Sequence, residues 1–513
     1  MLGFLGALLV IISTSKYGPG ISTDSTAYMY AAKSLLAGRG FIYFGYETPF
    51  IQWPPLFSTV LAMIGAMGVD MAAAARYLNS VVFGSAIVIS GLWLIRHTKS
   101  YAVVFFGTMA VALAVPLLYV SRFAWSEPLF VLFILLCLFE LERFAGTQKL
   151  SGLLLAAIFS AMACLTRYAG ITVVLTGLLV LFLQNKRLII KMLDMLVFGF
   201  ISSLPVSIWI ARNYILSSTL IGARTPSQYT LIQNVKFTLN TFASWFIPDR
   251  VTGGAFGANA STILKILVIA VLFVTLVWST VIIVKSAHGS FTYTGLLKPS
   301  KNYLSQIILL PGFVMIYTCY LIASSTSVAF DTIDNRLLAP VCIPLLLLVF
   351  LSADRMGQLL DKRFSRNAFS IIIAGIMGIW LLLPLSAALA DVRNSAQNGA
   401  GVFSTTLWHE SQLIAYLEEN PPDGLLYSNY PDAIYALTGM PSKYTPKRDS
   451  LREYGLEPFK EAIASSNHSY IVWFKKGAMS SIYNIEELSA RFSLTKVMET
   501  GDGYVFDITP SYK

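Results

Sequence analysis

The sequence predicts an all-α polytopic membrane domain of about 11 transmembrane helices, followed by a small C-terminal α/β soluble domain. Three observations carry this. Of 513 residues, 56% are hydrophobic and only 12% charged, against about 25% charged in an ordinary soluble domain, and the mean hydropathy is +0.66. The charges are unevenly divided: residues 1–390 hold 26 Lys/Arg and 12 Asp/Glu, residues 391–513 hold 11 and 15. Finally, the first part is built of long uncharged apolar runs, which in lipid must be helical because backbone groups there have no water to bond.

Taken in order, the candidate spans are 1–15, 77–95, 101–121, 123–142, 150–166, 168–190, 195–211, 266–284, 302–330, 337–353 and 367–390. Residues 1–15 have neither a basic leading region nor an A-x-A site, so they read as a transmembrane helix rather than a signal peptide. The run 48–69 either spans or lies at the interface. Its opening Pro54-Pro55 and the close-following Asp70 and Arg76 favour the interface. Residues 17–75 then form one large outer loop.

The bases give the orientation. Arg96/Lys99, Arg143/Lys149, Lys186/Arg187/Lys191, Lys285/Lys298/Lys301 and Arg355/Lys362/Arg363/Arg366 hold 14 of the 26 bases of the first part. By the positive-inside rule these loops, and the N-terminus, are cytoplasmic. The other loops and residues 391–513 are extracytoplasmic. Topology-setting loops account for the net charge of +10, so no nucleic-acid partner is expected. The cysteines, Cys137, Cys164, Cys319 and Cys342, lie singly in apolar runs and read as free thiols.

The outer side collects charge at the ends of apolar helices. Asp24 and Tyr28 stand in the first loop, with Trp53 and Pro54 at its close. Arg122 and Glu127 bound the second loop, Arg167-Tyr168 the third and Arg212 the fourth, while Asp334 and Arg336 bound the fifth. Singly, each arginine reads as a snorkelling anchor. Glu127, near the bilayer edge, needs a partner, with Arg122 and Arg167 as the candidates. Together, guanidinium forks facing one cavity suit a lipid phosphate. Asp24 opens a short helix to about Gly38, as an N-cap or as a general base toward an acceptor hydroxyl or amine.

This order of elements resembles the GT-C superfamily of integral membrane glycosyltransferases. The group it looks most like holds the protein O-mannosyltransferases, lipid A aminoarabinose transferases and lipopolysaccharide galacturonosyltransferase-like enzymes. The resemblance covers about residues 1–390 and rests on Asp24 with Tyr28, Pro54-Pro55-Leu56, Glu127, Arg212-Asn213-Tyr214 and Arg336-Leu337-Leu338-Ala339-Pro340. It implies a GT-C-like fold and inverting transfer of a sugar from a polyprenyl-phosphate donor to a glycan, lipid or protein acceptor on the outer face. Carried over, Asp24 is the base, Glu127 orients donor or acceptor, and Arg336 holds the donor phosphate. Arg167 and Arg212 are added to the phosphate site on electrostatic grounds, and Tyr28, Trp53, Pro54, Tyr168 and Asp334 as pocket residues. The sequence departs from the family in having Gln52-Trp53 where many members have Lys before Pro-Pro, and Glu127 where many have Asp. No cofactor and no tightly bound metal are expected, since the histidines (His97, His288, His409 and His468) do not cluster.

Two other classes compete. A transporter or flippase of lipid-linked sugars needs a polar path, and the mid-helix regions are nearly free of charge. A non-catalytic assembly or sensor protein leaves the outer charges without a task. In residues 391–513, helix signals at 409–419 and 456–465 alternate with strand signals at 424–428, 469–474 and 503–508, predicting a small α/β cap.

Overall fold

A computed structural model describes residues 1–248 (except 46 and 223), 265–266, 270, 303–329, 331–364, 368–448, 455–476 and 481–509. The membrane part comprises α1 (Leu2–Ser13), α2 (Thr23–Leu36), α3 (Leu56–Gly65), α4 (Met71–His97), α5 (Tyr101–Ala112), α6 (Val115–Ser121), α7 (Glu127–Thr147), α8 (Leu150–Thr166), α9 (Ile171–Phe182), α10 (Leu188–Ser217), α11 (Leu231–Phe246), α12 (Tyr303–Ser327), α13 (Asn335–Phe364), α14 (Ala368–Trp380) and α15 (Leu382–Asn398). Every expected span within the described residues contains a helix, although 101–121 is broken between α5 and α6 and 168–190 is interrupted at 183–187. The one at 266–284, with the basic loop Lys285/Lys298/Lys301, falls almost wholly outside them.

Among the described residues, five helical stretches are long and apolar enough to cross a membrane: Met71–His97, Leu188–Ser217, Ile308–Ser327, Asn335–Phe364 and Ala368–Asn398. The pair α5 and α6, bent by 44°, adds a sixth if it is one span. The sequence reading counts more because it includes shorter helices. With 12 residues, α1 extends only about 18 Å, and α7 carries Glu140, Glu142 and Arg143 toward its end. The ambiguous run 48–69 contains α3, whose 10 residues extend about 15 Å, half of a hydrocarbon core.

Close backbone approach sets the first packing pair. α1 lies on α4 because Gly3 and Gly84 have no side chains there. A Cβ on Gly84 would stand 2.7 Å from the Gly3 carbonyl oxygen. Small residues at such crossings are the usual device in membranes, where dispersion drives helix association. α7 packs on α8, and α10 on α8 and α9.

Loop contacts gather at two ends of the helices. At the basic end, Glu142 accepts from Trp93 Nε1 at 2.6 Å and meets His97 Nε2 at 2.5 Å. Thr98 donates to buried Asp354 at 2.6 Å. At the other end, the loop backbones are stitched together. The Gly20 amide donates to the Arg122 carbonyl, Ala124 returns to Gly20, and Phe403 of the following domain donates to Ile21. Asn79 of α4 holds the second loop by donating to the carbonyls of Phe123 and Trp125.

After Asn398 come α16 (Thr406–His409), α17 (Gln412–Glu419), β1 (Leu425–Ser428), α18 (Pro431–Thr438), β2 (Lys443–Tyr444), α19 (Leu456–Ser465), β3 (Ser469–Phe474), α20 (Ile485–Ser489), β4 (Ser493–Glu499) and β5 (Gly503–Thr509). The sheet order is β2-β1-β3-β5-β4, with β2, β1 and β3 parallel and β5 and β4 antiparallel. The expected strands are β1, β3 and β5. β4 escapes the sequence reading because it is an edge strand exposed along most of its length, and β2 because it has two residues.

Gly84→Val is expected to push α1 off α4 and destabilise the chain by about 1–3 kcal/mol, read as a lowered melting temperature in detergent.

Candidate functional site

At the end of the helices opposite the basic loops, α2, α7, α8 and α13 bring four charges from distant parts of the chain together. Asp24 stands in the first turn of α2. Ser22, not Asp24, is the N-cap of that helix, so the carboxylate faces away from the backbone. It accepts from Nη2 of Arg336, which is placed by the first turn of α13. The Arg336 Nε donates to Glu127 Oε1 at 2.6 Å. Arg167, just past α8, places Nη1 2.8 Å from the same oxygen and 3.3 Å from the Ser126 hydroxyl. Glu127 is 1% exposed, and its Oε2 has no hydrogen-bond partner among the described residues. The group is neutral overall: two carboxylates and two guanidiniums.

The sequence reading offered Arg122 and Arg167 as partners for Glu127. The structure uses Arg167 and Arg336. Arg122 turns the other way, to Asp391 at 2.5 Å and Ser395 at 2.7 Å, both on α15.

Aromatic side chains set the Arg336 orientation. Its guanidinium lies 3.9 Å from the Trp125 ring centroid, a cation–π contact in a desolvated place. The Trp125 indole in turn donates to Ser22 at 2.8 Å, at the head of α2. Trp125 and Ser126 flank Glu127 in sequence, yet only the fold reveals what they hold.

The expected pocket residues separate into distinct places. Tyr28 is wholly enclosed, edge-on to Phe50, Trp53 and Phe57, and its hydroxyl shares a hydrogen bond with Ser126 at 3.0 Å. Burial pushes its phenol above the ordinary range. It offers no surface to a substrate and instead supports Ser126 beneath Arg167. Trp53 is half-buried and stacks on Tyr43 and Phe50, while Pro54 is buried just before α3. The Tyr168 hydroxyl donates to the Ile51 carbonyl at 2.9 Å. Arg212 lies with these loop contacts, apart from the acids. It donates to the carbonyls of Phe50 at 3.0 Å and Phe41 at 3.3 Å, over the Trp209 ring, so it pins the first outer loop. Asp334 caps α13, accepting from the amides of Arg336 at 2.9 Å and Leu337 at 3.2 Å. Burial pushes its carboxyl up, against the pull of those amides. It thereby orients the turn that carries Arg336.

A cavity of about 180 Å³ opens beside Asn335, the neighbour of Arg336. Ala114, Trp245, Cys342, Leu346 and Trp380 line it, with Asp391 at one edge. Among the described residues no group of three or more His, Cys, Asp or Glu side chains is placed to hold a metal ion.

Known proteins share this architecture at low sequence identity. ArnT from Cupriavidus metallidurans, in its apo crystal structure, superposes with a TM-score of 0.61 at 11% identity, covering 98% of this chain and 96% of that one. The same protein bound to undecaprenyl phosphate gives the same values. The archaeal oligosaccharyltransferase AglB from Archaeoglobus fulgidus, in complex with an inhibitory peptide and a dolichol-phosphate, gives 0.53 at 12% identity, over 92% of this chain and 69% of its own. No family model matches the sequence, and no curated protein matches it. The chain therefore shares the fold of ArnT and, over most of its length, of AglB.

Removing Glu127 leaves two half-buried guanidiniums close together, with only Asp24 left to pair with one of them. Glu127→Ala is expected to cost about 3–5 kcal/mol of stability, seen as a large drop in melting temperature, whereas Arg448→Ala, which breaks an exposed pair with Glu487, leaves it unchanged.

Proposed function

We propose that the chain is a membrane glycosyltransferase that moves a sugar, with inversion, from a polyprenyl-phosphate carrier to an acceptor on the extracytoplasmic face. The observation that carries this reading is the bridging of Asp24 and Glu127 by Arg336 at the outer ends of the helices. A transfer of this kind needs a base at the acceptor and cations at a phosphate leaving group, and these residue types stand within one side chain of each other. The fold shared with ArnT and AglB, solved with undecaprenyl phosphate and dolichol-phosphate respectively, supports it.

The chemistry follows from the placement. The acceptor hydroxyl or amine attacks the anomeric carbon, its proton passes to Asp24, and the bond from that carbon to the phosphate oxygen breaks. The electron pair leaves with polyprenyl phosphate. Arg336 and Arg167 stabilise the charge that develops on that oxygen, which is worth most in a water-poor site. Arg336 is engaged by Asp24. A donor phosphate matches a guanidinium fork and competes for it, which frees the Asp24 carboxylate as the donor arrives. Glu127 keeps Oε1 for the arginines and presents Oε2 to a sugar or acceptor hydroxyl, since a buried carboxylate oxygen without a donor is costly. The apolar cavity beside Asn335 takes the first part of the prenyl chain. The loops bearing these groups and the C-terminal domain face outward, and the basic loops face the cytoplasm.

Purified full-length protein in nanodiscs, given a panel of polyprenyl-phosphate sugars with candidate acceptors, is expected to release polyprenyl phosphate. Asp24→Asn is expected to lower that release by about 100-fold or more while still binding the carrier. Wild-type release by Asp24→Asn would remove Asp24 as the base. If no donor in the panel is bound or turned over, the glycosyltransferase reading falls.

A further inference from the structure

The C-terminal domain reaches the candidate reaction centre through a buried acid. Asp432, in the first turn of α18, is 2% exposed. Its Oδ2 accepts from the Tyr444 hydroxyl and from Thr23 Oγ1 at 3.2 Å. Thr23 is the residue before Asp24, in the opening turn of α2.

Within the turn, Thr26 donates to the Ser22 carbonyl through its amide and its hydroxyl, and the Ser22 hydroxyl meets that of Ser25 at 3.3 Å. The N-cap Ser22 makes no side-chain cap to a backbone amide, and its hydroxyl accepts from the Trp125 indole. The turn is also gripped from two sides. The second outer loop holds Ser22, and the C-terminal domain holds Thr23. The same domain continues along α2, where Tyr435 meets Tyr30 at 5.5 Å and lies under Lys33. Just before the helix, Phe403 donates to the Ile21 carbonyl at 3.0 Å. Burial pushes the Asp432 carboxyl up, the two hydroxyl donors oppose this, and the negative charge of Asp24 adds to the rise. Lys447 also faces it. A buried carboxyl kept at this cost, close to a second acid, is far from the cheapest way to seat a cap domain.

We infer that Asp432 is a positioning residue for Asp24: by accepting from Thr23 it sets where the first turn of α2, and hence the Asp24 carboxylate, sits, which makes the C-terminal domain part of the reaction centre. This rests on the reading of Asp24 as the base. A base displaced by an ångström loses turnover, not donor affinity, so the effect lies in kcat.

The test measures polyprenyl-phosphate release by the full-length chain. Asp432→Ala and Thr23→Val are each expected to lower kcat by about 10- to 100-fold with an unchanged donor KM. Asp432→Asn, whose amide oxygen still accepts from both hydroxyls, and Thr23→Ser are expected to keep most of the activity. The double variant Thr23→Val/Asp432→Ala is expected to be no worse than the poorer single one, because both remove the same contact. Wild-type kcat in Thr23→Val, additive losses in the double variant, or a loss confined to KM overturns the inference. If Asp432→Ala does not fold, the Thr23 pair of variants carries the test alone. Asp24→Asn in the same assay separates the two failures. An active Asp24→Asn sinks the base reading itself, whereas an inactive one beside a fully active Thr23→Val sinks only the positioning role.

Discussion

One end of the helical part of this protein is organised around the enclosure of one carboxylate. Glu127 lies at the start of α7 with almost no exposed surface, where an unpaired charge costs several kcal/mol. Two guanidiniums from two other helix ends converge on one of its oxygens. Arg336 is then fixed well enough to reach Asp24 as well, and Arg167 well enough to contact Ser126. Each of these charges is tolerable only because the others are present. The constraint therefore ties α2, α7, α8 and α13 into one unit. It also sets two carboxylates against two guanidiniums, so each arginine is already engaged by an acid.

The surroundings serve that constraint. Asp334 caps the turn that presents Arg336. Trp125 backs its guanidinium, and Asn79 holds the backbone on both sides of Trp125's neighbour Ala124. Tyr28, Phe50, Trp53 and Phe57 form a closed aromatic block under Ser126. Arg212 and Tyr168 fasten the first outer loop over that block through its carbonyls. Backbone groups in such loops must find partners, and here arginine and tyrosine side chains supply them. The C-terminal domain is continuous with this shell: its buried Asp432 and the short pairing at Ile21 meet the helix that carries Asp24.

Much of this was legible before any coordinates. Apolar runs mark helices because lipid leaves no other spanning structure, and each described run holds a helix, whereas α11 (Leu231–Phe246), which is less apolar, escapes the sequence reading. The alternation of basic loops separates the two ends. Asp24, Glu127, Arg167 and Arg336 were visible as charges at the edges of apolar segments, where a charge without a task is expensive. In the C-terminal domain the buried strands β1 and β3 announce themselves by composition, while the exposed edge strand β4 does not.

What the sequence by itself determined was therefore where the apolar helices lie and which residue types stand at their charged ends. The tertiary structure alone decided which charge meets which. Arg122, offered as a partner for Glu127, meets Asp391, while Arg336 bridges Asp24 to Glu127. Arg212 looks like a phosphate ligand and binds carbonyls, Tyr28 looks like a pocket wall and is sealed, and Asp432 draws no attention until it is seen on Thr23. The reason is physical: hydropathy acts along the chain, over the length of a single helix, whereas an ion pair or a buried hydrogen bond acts over about 3 Å between residues whose separation in sequence carries no information about it.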